Sequence, residues 1–299
     1  MNPKIGAGIV LYNPEIGLLR RNIEALHSQV DKILLYDNGS ENVESIKKLL
    51  GVYSNLILIQ GKKNRGIAFA LNQILDWAKN EKYSWVLTMD QDSICSKNLI
   101  KEYTPVLSMV DVALICPFVL NNGKYTFEEY RKLNLPDTTE ISDPVKCITS
   151  GCLVNIDMAK KLGGFNDQLF IDCVDIDLNC KVLEANKRII RVNNAYLIQQ
   201  MGKGKKIPLL EKIQSITGSN LLRRAKVVAV YSDKRLYYYV RNTRYIRKKY
   251  KKPSRQTSAW FVAIYLLYFS IFYPSNRSRI KMWKSIIKGL NDSKIILEK

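Results

Sequence analysis

IGAGIVLYNPEIGLLRRNIEALHSQVDKILLYD, residues 5–37, decides the fold class. Ile5 to Tyr12 is an apolar, strand-like run stopped by Asn13-Pro14, after which Ile16, Leu19, Ile23 and Leu26 recur at helical spacing. A second strand-like run, Lys32 to Asp37, comes next. Working outward, the turn Asn38-Gly39-Ser40 leads to a helix over Val43 to Leu50, a strand at Leu56 to Ile59, a helix near Ile67 to Ala78 and a strand at Ser84 to Asp90. This β-α-β-α-β-α-β order predicts an α/β protein with a mostly parallel, right-handed, doubly wound, Rossmann-like sheet.

Ligands of such sheets bind beyond the carboxyl ends of the strands. Those ends are polar and repeatedly acidic: Tyr12-Asn13, Asp37-Asn38-Gly39-Ser40 and Asp90-Gln91-Asp92-Ser93. No GxGxxG follows the first strand, and Gly61-Lys62-Lys63 lacks P-loop spacing, which disfavours dinucleotide dehydrogenases and P-loop phosphotransferases. Acidic strand ends suit a nucleotide base and ribose, with a divalent cation on the phosphates. In an extended segment Asp90 and Asp92 point to one side and Gln91 to the other, and two such oxygen ligands suit Mg²⁺ or Mn²⁺. Alone, a DxD triplet also arises as a surface turn or helix N-cap.

The 299 residues are 46% hydrophobic and 25% charged, which argues against disorder and against a disulfide-rich scaffold. Residues 1–199 hold 23 basic and 23 acidic side chains, whereas 200–299 hold 24 and 4, so the whole formal charge of +20 belongs to the last hundred residues. A basic segment attracts nucleic acid or an anionic membrane. The same region carries WFVAIYLLYFSIFY, Trp260 to Tyr273, too short for a confident membrane span. It suits a segment lying in the membrane interface or a helix packed on the body. The N-terminus has no signal-peptide pattern, so a cytoplasmic location is expected. Cys95, Cys116, Cys147, Cys152, Cys173 and Cys180 form no CxxC and His27 is the only histidine, which speaks against a zinc site or a Cys-His nucleophile.

Five runs in order, GIVLYN, LLYDNGS, KNRGIAFALN, LTMDQDS and SGCLVNIDMAKKLGGFNDQLFIDCVDID, resemble the inverting glycosyltransferases of family two, which have the GT-A fold. Within that family the chain is most similar to the bacterial rhamnosyltransferase branch, over roughly residues 4–250. The resemblance implies that Leu11, Tyr12 and Asn13 border the nucleotide base and that Asp37 accepts its imide N–H. Asn64, Arg65 and Gly66 would flank the donor, Asp90 would contact the ribose, and Asp92, with Asp90 and Gln199 as further candidates, would ligate the metal. Asp175 in VDID aligns with the catalytic carboxylate, with Asp172 as runner-up; either could instead be an acidic helix cap. Asp177, with Gly151, Cys152 and Asp172, is expected on the acceptor side, and Asp177 could alternatively brace the loop.

Relatives often carry an HxxG pattern that adds a metal ligand; here the stretch is Gln199-Gln200-Met201-Gly202. The adjoining Gly202 to Lys206 could assist a diphosphate or be a solvated loop. An inverting transfer is a single displacement in which a carboxylate base takes the proton of the acceptor hydroxyl as nucleoside diphosphate departs. A retaining route would need a carboxylate nucleophile on the opposite face.

The expected organisation is a catalytic domain over 1–201, with a nucleotide-sugar half at about 1–95 and an acceptor half at about 96–201. A basic, aromatic-rich helical region is expected over 202–299, in which Arg235 to Tyr250 resembles a Tyr-rich helix of the rhamnosyltransferases and has a composition that favours anionic lipid. The expected reaction moves a sugar, rhamnose from dTDP-rhamnose first, to a lipid-linked polysaccharide intermediate at the inner face of the cell membrane. UDP-glucose, UDP-galactose or UDP-galactofuranose are the alternative donors. A non-catalytic nucleic-acid-binding protein is the reading from another class, disfavoured because no nucleic-acid motif accompanies the basic tail. The aromatic tail is also compatible with self-association into a homo-oligomer.

Overall fold

A computed structural model of the chain describes residues 4–121, 125–199, 204–219, 226–229, 231–272 and 277–297. Its first elements follow the expected order: β1 (Ile5–Leu11), α1 (Ile16–Leu26), β2 (Lys32–Asp37), α2 (Val43–Leu50), β3 (Leu56–Gln60), α3 (Ile67–Asn80) and β4 (Trp85–Asp90). After these come β5 (Ser93–Cys95), α4 (Leu99–Tyr103), β6 (Val112–Asn121), α5 (Phe127–Arg131), β7 (Thr138–Glu140), β8 (Cys152–Asn155), α6 (Ile156–Lys161), α7 (Val174–Glu184) and β9 (Arg188–Gln199).

Among the described residues these strands form a nine-stranded sheet in the order β3-β2-β1-β4-β8-β6-β9-β5, with β7 on β9. β3, β2, β1 and β4 are mutually parallel, as the alternating pattern requires. The second half adds antiparallel pairs, β4 with β8, β8 with β6, and β9 with β5 and β7. The chain runs outward from β1 to β3 and then returns to the other side of β1 as β4, so the strand order reverses between β1 and β4. That reversal opens a crevice at the carboxyl ends of these two strands.

The apolar periodicity of α1 places Leu19, Ile23 and Leu26, all fully buried, against the sheet. They join one core with Ile9 and Leu11 of β1, Leu35 of β2, Leu87 of β4, Leu153 of β8 and Leu197 of β9. Truncating any of these leucines to alanine would cost about 2–5 kcal/mol. The two expected halves of the catalytic region therefore share one sheet and one core.

By compactness the chain divides into two units, Met1–Val119 with Asn134–Gln199, and Leu120–Leu133 with Gln200–Lys299. The second unit contains β10 (Gly204–Lys206), α8 (Pro208–Thr217), β11 (Val227–Ala229), α9 (Asp233–Lys249), α10 (Ala259–Ile271) and α11 (Arg279–Leu297). It has its own core of Ile207, Val228, Leu236, Val240, Phe269, Met282 and Ile286. Ser232 and Ser258 cap α9 and α10, their hydroxyls accepting backbone N–H groups of Arg235 and Phe261. Among the described residues no helix is long and apolar enough to cross a membrane. The Trp260 to Tyr273 run forms α10 through Ile271, and Tyr273 lies outside the described residues.

Candidate active site

The carboxyl ends of β1 and β4 are joined by one side chain. The Gln91 side chain accepts the Tyr12 N–H at 2.8 Å and donates to the Tyr12 carbonyl at 3.3 Å. This clamp fixes the Tyr12 backbone and leaves the residue 47% exposed. The extended Asp90-Gln91-Asp92 segment expected from sequence is not found: β4 stops at Asp90, Gln91 and Asp92 form a turn, and β5 resumes at Ser93. Gln91 therefore does not merely face away from the site; it crosses to β1.

Asp90 is held from both sides of its backbone. Its N–H donates to Ser150 Oγ at 3.1 Å, and its carbonyl accepts Asn22 Nδ2 at 2.6 Å. Both partners are fully buried. Asp92 is half-buried, and burial raises its carboxyl above the ordinary carboxylate range, offset in part by its own backbone N–H. Gln199, at the end of β9, pairs with Ser93 in the β5–β9 register and so lies across from the residue next to Asp92. Ser93 is buried, and its hydroxyl has no hydrogen-bond partner among the described residues. Carboxylate, amide and hydroxyl oxygens are the donor set a hard divalent cation takes, so these residues fit Mg²⁺ or Mn²⁺ with water and phosphate completing the shell. No three His, Cys, Asp or Glu converge on a metal position among the described residues.

The loops after β1, β2 and β3 are tied together by amide side chains. Asn13, at φ +46°, donates its N–H to Ser40 Oγ and accepts the Glu41 N–H, both at 2.8 Å. The buried Asn38 accepts the Arg65 N–H at 3.0 Å and donates to Asn64 Oδ1 at 3.2 Å and to the Gly66 carbonyl at 3.1 Å. Asp37 is buried beside it, with Oδ1 accepting the Ser40 N–H at 3.0 Å. Arg65 is exposed, its guanidinium 3.4 Å from the Phe69 ring centroid. Leu11 does not line this crevice: its side chain is fully buried in the core, and only its carbonyl, accepting the Asn38 N–H at 2.8 Å, serves the site.

The donor-side loop is in turn locked to the loop that carries Asp175. Gly66 has φ +92° and ψ 162°, a region open in practice only to glycine. A side chain there would meet the Phe170 carbonyl oxygen at 2.6 Å. Ile67 N–H donates to that same oxygen at 2.6 Å. Phe170, Asp172 and Cys173 all have φ between +62° and +64°, three left-handed non-glycine residues just before α7. Such strain persists only where surrounding structure over-determines it, and it clusters at functional sites.

Asp175 lies in the first turn of α7, with Oδ1 accepting the Ile176 N–H at 2.9 Å. The N-cap position is Cys173, so neither Asp172 nor Asp175 is the capping residue. Burial pushes the Asp175 carboxyl up to about 6; the backbone N–H groups of Ile176 and Asp175 oppose this and the neighbouring Asp172 adds to it. Behind it lies a cavity of about 10 Å³ lined by Thr88, Cys147, Cys152, Phe165, Asp175 and Asn179, enough for about one water.

Asp177 points inward instead. It is fully buried, and its carboxylate lies 3.0 Å from Lys181 Nζ, which also donates to the Gly164 carbonyl at 2.9 Å. This arrangement braces the Gly163-Gly164 turn. Gly151 and Cys152 anchor the β4–β8 pair: Gly151 N–H donates to the Thr88 carbonyl, its carbonyl accepts the buried Tyr103 hydroxyl, and Thr88 Oγ1 donates to the Cys152 carbonyl. Residues 200–203 lie outside the described residues, and Lys206 pairs with Glu211 at 3.0 Å.

The crevice thus gathers Tyr12, Asn13, Asp37, Asn64, Arg65, Gly66, Asp90 and Asp92, with the Asp172–Asp175 loop joined through Phe170. Gln91, Asn38, Asn22 and Ser150 hold these groups in place; sequence reasoning reads Asn38 and Gln91 only as strand-end residues and passes over Asn22, because nothing in their type or spacing shows what they bond across the fold.

Residues 7–154 match the model of the glycosyl transferase family 2. The chain is 25% identical over 301 residues to the dTDP-rhamnosyl transferase RfbF of Shigella flexneri, covering 98% of this chain and 96% of that protein. Among solved structures it is similar to S. aureus TarS 1-349 in complex with UDP-GlcNAc, with a TM-score of 0.58 and 15% identity over 97% of this chain and 80% of that one. It is also similar to GalNAc-T7 with UDP, GalNAc and Mn²⁺, with a TM-score of 0.58 and 13% identity over 98% of this chain, which spans 56% of that protein. Residues 7–154 therefore carry a glycosyl transferase family 2 domain, and the chain has the GT-A fold of these structures.

Proposed function

We propose that the chain transfers rhamnose from dTDP-rhamnose to a lipid-linked polysaccharide intermediate, of O-antigen, capsule or cell wall, by a single displacement that inverts the anomeric centre. The observation that carries this reading is the direct lock between the donor-side and Asp175 loops, through Gly66 and Phe170. It supports reading Asp175 as a base that acts beside the strand ends proposed to hold the nucleotide. The similarity to the rhamnosyl transferase RfbF supports the choice of donor. A UDP-sugar donor is the second reading, favoured by the UDP-GlcNAc complex of the similar TarS fold.

In this reading the Tyr12 ring, its backbone clamped by Gln91, offers a platform for the base, while Asp37 accepts the base N–H. Asp90, its backbone fixed by Ser150 and Asn22, meets the ribose. Asp92, with Gln199 and water, would hold Mg²⁺ or Mn²⁺, which neutralises charge on the departing diphosphate when bound. A divalent metal is further supported by the Mn²⁺ recorded with the similar GalNAc-T7 fold.

Asp175 takes the acceptor hydroxyl proton. A carboxyl near 6 is ionised at neutral pH yet is a stronger base than an ordinary carboxylate, which suits proton abstraction in the transition state. Asp172 is the second candidate. The acceptor's lipid would place the reaction at the inner face of the cell membrane, with the basic C-terminal unit on its anionic surface, and the same unit could mediate self-association.

The test is turnover of dTDP-rhamnose beside a panel of UDP-sugars, with Asp175→Asn and Asp92→Ala. Both variants should lose at least about 100-fold in kcat with circular dichroism unchanged. Full activity in both would overturn the site.

A further inference from the structure

The C-terminal unit exposes apolar residues in rows. On α10, Trp260, Ile264, Leu267 and Ile271 recur at helical spacing and are 45–66% exposed. At 3.6 residues per turn they fall on one narrow stripe, and the fully buried Phe269 lies on the opposite side of the helix. α10 is thus apolar all round yet covered on one side only. A helix of that kind is normally buried in a core or in lipid.

α11 repeats the arrangement. Ile280, Trp283 and Ile287 form a stripe 45–70% exposed, while Met282 and Ile286 turn into the unit's core. Lys281, Lys284 and Lys288 flank the stripe, all exposed. A third, shorter row, Leu209, Ile213 and Ile216, lies on α8. Three exposed apolar rows on one unit exceed the scattered surface hydrophobics of an ordinary soluble protein.

Charge decides what covers them. Residues 251–291 hold eight Lys and Arg and no Asp or Glu. Two copies meeting through such faces would bring like charges together, whereas an anionic bilayer supplies both the hydrocarbon and the countercharge. The 13 residues of α10 span about 20 Å, short of the roughly 30 Å hydrocarbon core, so the helix can lie in the interface and cannot cross it.

We infer that the exposed stripes of α10 and α11 enter the headgroup–acyl boundary of an anionic membrane, with Trp260 and Trp283 at the interface and the α11 lysines on lipid phosphates. This deepens the membrane element of the proposed function, and its readouts need no sugar, so the two can fail separately.

The experiment uses the full chain with phosphatidylcholine vesicles, with and without phosphatidylglycerol. The chain should float only with the anionic vesicles, with a blue shift of tryptophan emission. Trp77 and Trp85 are buried in the other unit and give a constant background. Ile264→Glu/Leu267→Glu and Lys281→Glu/Lys284→Glu/Lys288→Glu should each weaken flotation at least tenfold. Both sets change exposed positions, so circular dichroism and the thermal shift with nucleotide should stay as in the wild type. No association of the wild-type chain with anionic vesicles would overturn the proposal. So would a wild-type dimer that Ile264→Glu/Leu267→Glu turns into a monomer, which would show that a second copy covers the face.

Discussion

At Asp175, the proposed base, burial would link catalysis to stability. The folded-state value of about 6 lies above the 3.8 of an ordinary Asp, so the native state binds this proton more tightly than the unfolded chain does. Stability from this group is therefore greatest below pH 3.8 and falls as pH rises toward 6, by up to about 3 kcal/mol in total. Above that window the native state carries the cost of a half-buried charge. Asp175→Asn should then raise thermal stability at neutral pH while removing the base, a pairing that calorimetry beside turnover can check. In the wild type, kcat should fall tenfold per pH unit below about 6. Asp172→Asn removes a neighbouring charge that raises Asp175, so activity should persist with the acid limb moved to lower pH. Loss of activity in Asp172→Asn with activity kept in Asp175→Asn would transfer the role of base to Asp172.

Between elements, strength lies in the contacts of loops that are distant in sequence. The alternation of apolar runs over residues 5–90 makes β1 to β4 readable almost to the residue, because each strand and helix is specified by its own local period. The same holds for the acidic strand ends, since parallel topology sends them all to one edge. The strands beyond β4 are not legible in this way. β8 inserts between β4 and β6, and β9 between β6 and β5, an order set by pairing across the fold. The turn at Gln91-Asp92 is hidden for a related reason: a side-chain bond to Tyr12, 79 positions away, accompanies it. Asn38 likewise looks like an ordinary turn residue until its three bonds to the 64–66 loop are seen. Gly66 offers the sharpest test of that coupling. Gly66→Ala forces a side chain into glycine-only backbone and against the Phe170 oxygen, and should destabilise the fold by at least about 2 kcal/mol in denaturant unfolding. Because the contact joins the loops proposed to carry donor and base residues, kcat should drop with it under conditions where the variant is folded. A variant with wild-type stability and turnover would show the two loops to be independent.

For the molecule as a whole, charge and chemistry are segregated along the chain. Residues 1–199 are balanced at 23 basic and 23 acidic, and they hold every crevice residue named above; residues 200–299 carry the whole +20. A site in a neutral body and a surface on a basic one should respond differently to salt. Attraction to anionic lipid acts over the Debye length, which shrinks from about 10 Å at 0.1 M to about 3 Å at 1 M. Between these limits vesicle affinity should fall more than tenfold. In the proposed reading nucleotide binding would rest on hydrogen bonds, ring contact and a metal clamp at short range, so the thermal shift produced by dTDP with Mg²⁺ should persist across the same range. If both signals vanished together, the basic residues would be serving the diphosphate, and the +20 would belong to the donor site after all. If only the vesicle signal vanished, the charge would mark where the enzyme stands and the strand ends would mark what it does.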